Sequence, residues 1–285
     1  MFPINVPEVQ FYINNTCNLS CSNCLSFNNF NLKGYFKYKD YKTKNELWPK
    51  YIYPNRVSIL GGEPYLNPDF ENWMINVRKL WPTHNNMTIS TNGTLFHKLK
   101  YKNLAKKSIE NNYLLEVAVH YEKDFDNIYR NVNEILQELK INYRIKDVDP
   151  NDLYENKIVF YSESTNKHLI YLYRKYYFIK NSITSYNQKT IKFHSNDAKT
   201  VHENCPAKTC HYIVQGNLYK CPVVGTGHLF AKQYTLLDEN LFEKYESCDP
   251  TIDESLIEHF LRVKIKNYIP QCKLCPSSHA LEKII

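Results

Sequence analysis

The sequence predicts an α/β protein: a partial (β/α)6 barrel, that is, an incomplete TIM-like barrel, followed by a small cysteine-rich domain. From residue 8 to about 195, short β-like runs alternate with longer helical stretches, which is the order typical of a parallel sheet. Apolar and polar residues alternate along those runs, so that each strand has one apolar face. Beyond residue 195 the chain holds six of its nine cysteines. We therefore predict a core domain at 1–195 and a second domain at 196–285.

The predicted elements follow one another with little linker between them. The predicted strands are Glu8–Asn14, Arg56–Leu60, Met87–Ser90, Leu114–Tyr121, Asn142–Val148 and, as a sixth, either Ile158–Tyr161 or Ile191–His194. Helices are predicted for Pro68–Leu80, Lys98–Ile109, Phe125–Leu139 and about Asn166–Phe178. In the C-terminal part, His211–Cys221 is typical of a hairpin that turns at Gly216, and a helix is predicted near Ile252–Lys266.

The alternation along the strands indicates a polar cavity inside the barrel. The apolar face of the first two strands carries Val9, Phe11, Ile13, Val57 and Ile59. The opposite face is polar and includes Gln10, Ser58, Thr88, Ser90, Glu116, His120, Arg144 and Lys146. A packed eight-stranded barrel needs apolar residues on both faces, whereas an incomplete barrel with a ligand in its lumen does not. An ordinary sheet with one exposed face fits the same pattern and stays open as the alternative.

The bulk composition excludes little. The net charge is +7, from 36 basic and 29 acidic residues, which is a mild excess that identifies no nucleic-acid partner. No stretch approaches the roughly 20 apolar residues that cross a bilayer, and the N-terminus shows no charged leader before an apolar run. We therefore expect a cytoplasmic protein without a membrane partner. In that compartment, clustered cysteines are metal or redox groups more often than disulfides.

The first cysteine group directly follows the first predicted strand. It reads Cys17-Asn-Leu-Ser-Cys21-Ser-Asn-Cys24. Three thiolates on one short loop can hold three irons of a cubane cluster and leave the fourth iron open for a ligand. A zinc site completed by a distant His or Cys fits the same spacing.

Two further motifs stand at the ends of the next two strands. Gly61-Gly62-Glu63-Pro64 follows the second strand, where two glycines let the main chain approach a ligand closely and Glu63 offers a carboxylate to an ammonium. Ser90-Thr-Asn92-Gly-Thr94 follows the third. In this order the three motifs resemble the signature of the radical S-adenosylmethionine (SAM) superfamily over residues 6–195. One departure is Asn23, where many members carry an aromatic residue that packs near the adenine.

This resemblance implies a 4Fe-4S cluster on Cys17, Cys21 and Cys24, with SAM bound to its open iron. Reductive cleavage of SAM then gives a 5′-deoxyadenosyl radical that takes a hydrogen atom from the substrate. Glu63 is implied as the partner of the SAM amino group, with Gly61, Gly62 and Pro64 beside it. Further SAM contacts are expected from Asn92 or Ser90 and, by strand parity, from Glu116, His120 and Arg144.

The C-terminal cysteines resemble the twitch form of the auxiliary domain, the shorter relative of SPASM. The resemblance lies in Cys205, Gly216 and Cys221, followed by Cys272 and Cys275. It implies a second 4Fe-4S cluster on four cysteines. Cys210 lies opposite Cys221 in the predicted hairpin and competes with Cys205 as the fourth ligand. A zinc site is the alternative, and Cys248 is assigned no role.

The resulting hypothesis is a radical SAM enzyme of oxidoreductase type. It acts on a small-molecule or peptide substrate and takes electrons from a flavodoxin- or ferredoxin-type donor. The competing hypothesis is a cysteine–zinc protein that binds nucleic acid through the basic and aromatic residues of Lys33–Tyr51. A radical SAM enzyme that modifies RNA is a third.

Overall fold

A nine-stranded sheet forms the centre of the computed structural model, which describes residues 2–147, 157–175, 177–179, 183–186, 190–236, 245, 247–277 and 281–283. The strands are β1 (Ile4–Tyr12), β2 (Ile52–Leu60), β3 (Met87–Thr91), β4 (Leu114–Val119), β5 (Tyr143–Asp147), β6 (Ile158–Ser162), β7 (His168–Arg174), β8 (Tyr177–Ile179), β9 (Ile183–Tyr186), β10 (Thr190–Phe193), β11 (Cys210–Val214), β12 (Asn217–Tyr219), β13 (Thr235–Leu236) and β14 (Leu281–Lys283). The α-helices are α1 (Tyr38–Tyr51), α2 (Phe70–Leu80), α3 (Leu99–Glu110), α4 (Phe125–Glu138), α5 (Ala198–Glu203), α6 (Pro222–Ala231) and α7 (Glu254–His259).

The main sheet is parallel in its middle and antiparallel at its edges. Its order is β12-β11-β1-β2-β3-β4-β7-β6-β5, and the strands from β11 to β7 run parallel to one another. Two smaller sheets have the orders β13-β10-β9 and β14-β8. The predicted mixed α/β class with a parallel-rich sheet is therefore confirmed.

The apolar face predicted from strand parity is the buried core. Val9, Phe11, Val57 and Ile59 have no exposed surface, and the same holds for Leu115. Helices α1 to α4 connect parallel strands, as crossovers of this kind require, and α2 buries Trp73 and Met74. The alternation was informative because parallel strands under helices need one continuous apolar face.

The region after α4 departs from the prediction. The predicted helix Asn166–Phe178 is wrong, because His168–Arg174 is strand β7, with Ile170 and Leu172 fully buried. Its Ile170, Tyr171 and Tyr173 are of the β-branched and aromatic types that pack well on a pleated surface. β5, β6 and β7 form an antiparallel meander, and β7 pairs with β4. Both candidates for the sixth strand form, but β10 lies in a separate sheet.

The predicted C-terminal hairpin is present as β11 and β12, and it turns at Gly216, whose φ is +81°. Its position is less expected, because β11 pairs with β1 and places Cys210 opposite Glu8. The hairpin thus extends the main sheet although it lies beyond residue 195. The division of the chain at that residue stays a prediction.

The basic and aromatic segment after the cysteine loop contains helix α1, which was not predicted. Three of its aromatic residues, Tyr38, Trp48 and Tyr51, are at most 5% exposed, so their rings pack in the core, whereas Tyr35 is 48% exposed. Lys44 and Lys50 pair with carboxylates of the C-terminal part. In the described portion of the chain, no helix is long and apolar enough to cross a membrane.

Candidate active site at the ends of strands β1, β2 and β3

The three sequence motifs meet at the carboxyl ends of three adjacent parallel strands. Asn14, just beyond β1, donates from its side-chain amide to the carbonyl oxygens of Thr16 and Glu63, at 2.8 and 2.7 Å. The main-chain N–H of Gly62 donates to the carbonyl of Asn14 at 2.6 Å. The start of the cysteine loop is thereby bound directly to the Gly-Gly-Glu-Pro segment.

The two glycines of that segment allow this close contact. A Cβ on Gly61 would lie 2.8 Å from the carbonyl oxygen of Asn14, and one on Gly62 would lie 2.4 Å from that of Thr16. Any side chain here would therefore displace main-chain atoms. These glycines were predicted to allow close approach to a ligand, whereas the observed close approach is to residues 14–16. Pro64 follows and begins a short, buried 3-10 turn.

Glu63 joins the second motif to the third. Its Oε1 accepts the hydroxyl of Thr91 at 2.8 Å and the main-chain N–H of Tyr65 at 3.3 Å, and its Oε2 accepts the main-chain N–H of Asn92 at 2.9 Å. The side chain is fully buried, and this burial raises the pKa of Glu63 to about 7 although the hydrogen bonds lower it. A carboxylate offers about four lone pairs, so one acceptor position on Oε2 is left.

Asn92 connects the third motif back to the cysteine loop. Its side-chain amide donates to Oδ1 of Asn18 at 3.0 Å and lies 4.0 Å from the sulfur of Cys17. Asn18 in turn donates to the hydroxyl of Thr94 at 2.7 Å. The polar residues of the three motifs thus fix the position of the loop that carries the thiols.

The thiols of Cys17, Cys21 and Cys24 are partly or fully buried and influence one another electrostatically. Burial raises the pKa of Cys17 to about 12 and that of Cys21 to about 11, because the thiolate form is poorly solvated. Among the described residues, no three His, Cys, Asp or Glu side chains converge closely enough to hold a single metal ion. A cubane cluster differs, because each of its irons takes its own thiolate. Three neighbouring thiols on one loop fit that requirement.

The polar face of the sheet next to this site is a hydrogen-bonded network. Arg56 forms ion pairs with Glu116 and Glu8. The hydroxyl of Ser90 donates to Oε2 of Glu116 at 3.2 Å. A cavity of about 500 Å³ opens beside Arg56 and Glu116. Glu8 and Arg56 were not singled out in the sequence, although they have the strand parity of Gln10 and Ser58.

The other residues selected by parity lie in different places. His120 follows β4, and its ring contacts the carbonyl of Lys175 at 3.3 Å; burial lowers the pKa of His120 to about 4. Arg144 lies in the edge strand β5, where it contacts Asn166 and the ring of Tyr161 and is not brought to the thiols. Lys175 was missed, because its segment was assigned to a helix. It follows β7 and interacts electrostatically with Cys21, Cys24 and Glu116.

The C-terminal thiols form a second group. Cys221 interacts electrostatically with Cys205, Cys272 and Cys275, and burial raises its pKa. Cys210 lies elsewhere: its sulfur is 3.5 Å from Oε2 of Glu8 on the polar face of the main sheet. Four cysteine thiols, one for each iron, are what a cubane cluster requires. Cys205, Cys221, Cys272 and Cys275 meet that requirement, and the group therefore fits a second cluster with Cys205 among its ligands. Cys248 is buried outside both groups, where its main chain forms an isolated bridge with Leu218.

The comparison with protein families agrees with this site. Residues 9–141 match the family described as a 4Fe-4S single cluster domain. The matched range contains the cysteine loop and both further motifs, at the ends of adjacent strands of an α/β sheet. The match supports the predicted 4Fe-4S cluster on the cysteine loop. The matched range spans just under half of the chain.

Two solved structures show similarity at a low level. One is anSMEcpe with bound AdoMet and Cp18Cys peptide: the identity is 19%, the alignment covers 48% of this chain and 41% of that chain, and the TM-score is 0.35. The other is Streptococcus suis SuiB bound to S-adenosylmethionine, at 16% identity, 92% and 67% coverage and a TM-score of 0.40. This chain thus spans about two fifths of the length of anSMEcpe. No curated protein matches the sequence.

Proposed function

We propose that this protein cleaves SAM reductively and uses the resulting radical to take a hydrogen atom from a small-molecule or peptide substrate. The observation that supports this most is the role of Glu63. One buried carboxylate binds the third motif through Thr91 and Asn92, while its own main chain binds the cysteine loop through Asn14. Three motifs that are distant in sequence therefore form one rigid site around three thiols.

In this proposal the cluster on Cys17, Cys21 and Cys24 supplies the electron and the open coordination position for SAM. The residues of the chain supply binding and position. The remaining acceptor position of Glu63 suits the SAM amino group, since an ammonium beside a carboxylate forms a strong, charge-assisted hydrogen bond. Lys175, which lies near the same thiols, suits an anionic group such as the SAM carboxylate.

The test is anaerobic reconstitution of the full chain with iron and sulfide, followed by reaction with SAM and dithionite. We expect roughly eight irons per chain, the number in two cubane clusters, and release of 5′-deoxyadenosine. Cys24→Ala is expected to lose about half of the iron and all of the 5′-deoxyadenosine. Cys248→Ala, which removes a buried thiol outside both groups, is the matched control and is expected to retain both. Stoichiometric zinc without 5′-deoxyadenosine would contradict the proposal.

A second cluster on Cys205, Cys221, Cys272 and Cys275 is part of the proposal. It would assist the oxidation of the substrate by accepting an electron. Cys205→Ser is expected to lose the iron of this site, whereas Cys210→Ser is expected to retain it, because Cys210 lies beside Glu8. Iron and sulfide analysis of the two variants distinguishes the assignments. Equal iron in both variants would refute the choice of Cys205.

The finer fold assignments are also proposals. The parallel part of the sheet with its polar face supports a partial barrel, and the C-terminal thiols around Cys221 support a twitch-like auxiliary domain. A flavodoxin or ferredoxin is the proposed electron donor. The nucleic-acid alternative is less favoured, since Tyr38, Trp48 and Tyr51 pack in the core and cannot stack on bases, whereas Tyr35 of the same segment is 48% exposed.

A further inference from the structure

Lys220 is a cation in an unusual position. It directly precedes Cys221 and is only 3% exposed, although lysine is almost never fully buried unless it is paired. Its Nζ donates to the carbonyl oxygen of Ile265 at 2.5 Å. Within the described parts of the chain, no carboxylate forms an ion pair with it. An ammonium has three donors, so one neutral carbonyl is a poor substitute for water or a counter-ion.

The groups that surround this ammonium are the thiols of the second site. Lys220 interacts electrostatically with Cys272, Cys221 and Cys205, in that order of strength. The main chain of Lys220 is anchored as well: its N–H donates to the hydroxyl of Tyr245 at 2.7 Å, and its carbonyl accepts from the ring of His211 at 2.7 Å. The cation is therefore fixed in place beside these cysteines.

We propose that Lys220 is the internal counter-charge of the second cluster and raises its reduction potential. This inference rests on the proposed function, since it requires that the C-terminal thiols bind an iron–sulfur cluster. Metal binding deprotonates the thiols, so the ammonium gains anionic neighbours only when the site is loaded. The reduced state of a cluster carries one more negative charge than the oxidised state. A fixed cation in a poorly solvated interior stabilises the more negative state.

Lys220 is proposed to set the reduction potential of the second cluster and is assigned no contact with a substrate. A cluster of higher potential accepts an electron more readily, which is the direction that oxidation of a substrate radical needs. Lys208 provides a natural comparison, because it also interacts electrostatically with Cys205 but is exposed. Water screens an exposed charge, so its effect on the potential is expected to be small.

The experiment measures the potential of the second cluster by a redox titration followed by electron paramagnetic resonance, on the full chain in a Cys24→Ala background. Lys220→Met, which removes the charge at similar length, is expected to lower the ratio of reduced to oxidised cluster at a fixed potential about tenfold, or about 59 mV for one electron. Lys220→Arg is expected to restore most of the effect. Lys208→Met is the matched control and is expected to leave the potential unchanged.

The outcomes separate this inference from the proposed function. If the parent protein holds no iron at the C-terminal site, the second cluster and with it this inference are refuted. If the iron is retained and Lys220→Met leaves the potential unchanged, only the inference is refuted. Loss of the iron in Lys220→Met that Lys220→Arg restores supports the counter-charge, whereas loss in both variants indicates a purely structural role and overturns it.

The metal-free protein gives a second readout. Without the cluster, the buried ammonium has no anionic partner among the described residues, which is unfavourable. Lys220→Met is therefore expected to unfold at the same or a higher urea concentration than the parent when both are metal-free. A clear loss of stability in this apo form would show that Lys220 serves packing, and would overturn the inference.

Discussion

Glu63 offers the sharpest test of how the site is built, through the variant Glu63→Gln. The amide has nearly the shape of the carboxylate but replaces one oxygen with an NH2 donor. In one orientation this donor faces the main-chain N–H of Asn92, and in the other it faces the main-chain N–H of Tyr65. Either way one buried N–H loses its acceptor, and a hydrogen bond to a charged group contributes about 1.5–3 kcal/mol. We expect a loss of about 2 kcal/mol in the free energy of unfolding.

The assay is urea denaturation of the metal-free protein at pH 8, above the pKa of about 7 that burial gives Glu63, so that the parent carboxylate is ionised. The three tryptophans of the chain, all buried, report unfolding by fluorescence. Glu63→Ala is expected to lose more, since all of the donors to the carboxylate are then unpaired. Glu110→Gln, the same chemical change at an exposed helix end, is the control and is expected to stay within about 0.5 kcal/mol of the parent.

The reasoning is refuted if Glu63→Gln and Glu110→Gln unfold at the same free energy. In that case the carboxylate does not bind the strand ends together, and its conformation in the structure has no energetic importance. A lower free energy of unfolding for Glu63→Gln with intact iron binding would instead show that the hydrogen bonds of Glu63 stabilise the fold. They would then not be needed to form the cluster.

Two further predictions concern the contacts that hold the cysteine loop. Gly62→Ala places a Cβ 2.4 Å from the carbonyl oxygen of Thr16. We expect urea denaturation to show a loss of about 1–3 kcal/mol in the free energy of unfolding. Unchanged stability would mean that the loop moves without strain. Asn92→Ala removes the amide that donates to Asn18 and lies near Cys17. We expect a loss of about 1 kcal/mol in the free energy of unfolding and less iron per chain after reconstitution. Normal iron content would show that the other contacts are enough to hold the loop.

The sequence by itself was sufficient to predict which residues meet at the first site. Cys17, Glu63 and Asn92 each stand just after a β-like run, and parallel strands bring their carboxyl ends to one edge of the sheet. Local signals therefore placed three distant motifs together before any tertiary contact was known. The apolar face of the strands was predictable for the same reason, since alternation is a local property.

What the local signals could not supply were the contacts that depend on pairing between distant segments. His168–Arg174 was predicted as part of a helix, and it forms a strand that pairs with β4. Similarly, spacing favoured Cys205 and the predicted hairpin favoured Cys210, so the sequence left the fourth ligand open. They are separated by the pairing of β11 with β1, which carries Cys210 to Glu8, whereas Cys205 interacts electrostatically with Cys272.

The same distinction applies to single side chains. Glu63 was identified in the sequence as a carboxylate for a ligand, but its bonds to Thr91, Asn92 and Tyr65 follow from how two strand ends pack. Lys220 carried no signal at all, because a lysine between a strand and a cysteine is unremarkable until its burial is known. Residue order thus determined which chemical groups the protein has. Tertiary packing decided which of them are desolvated and adjacent, because burial and charge interactions depend on distance in space.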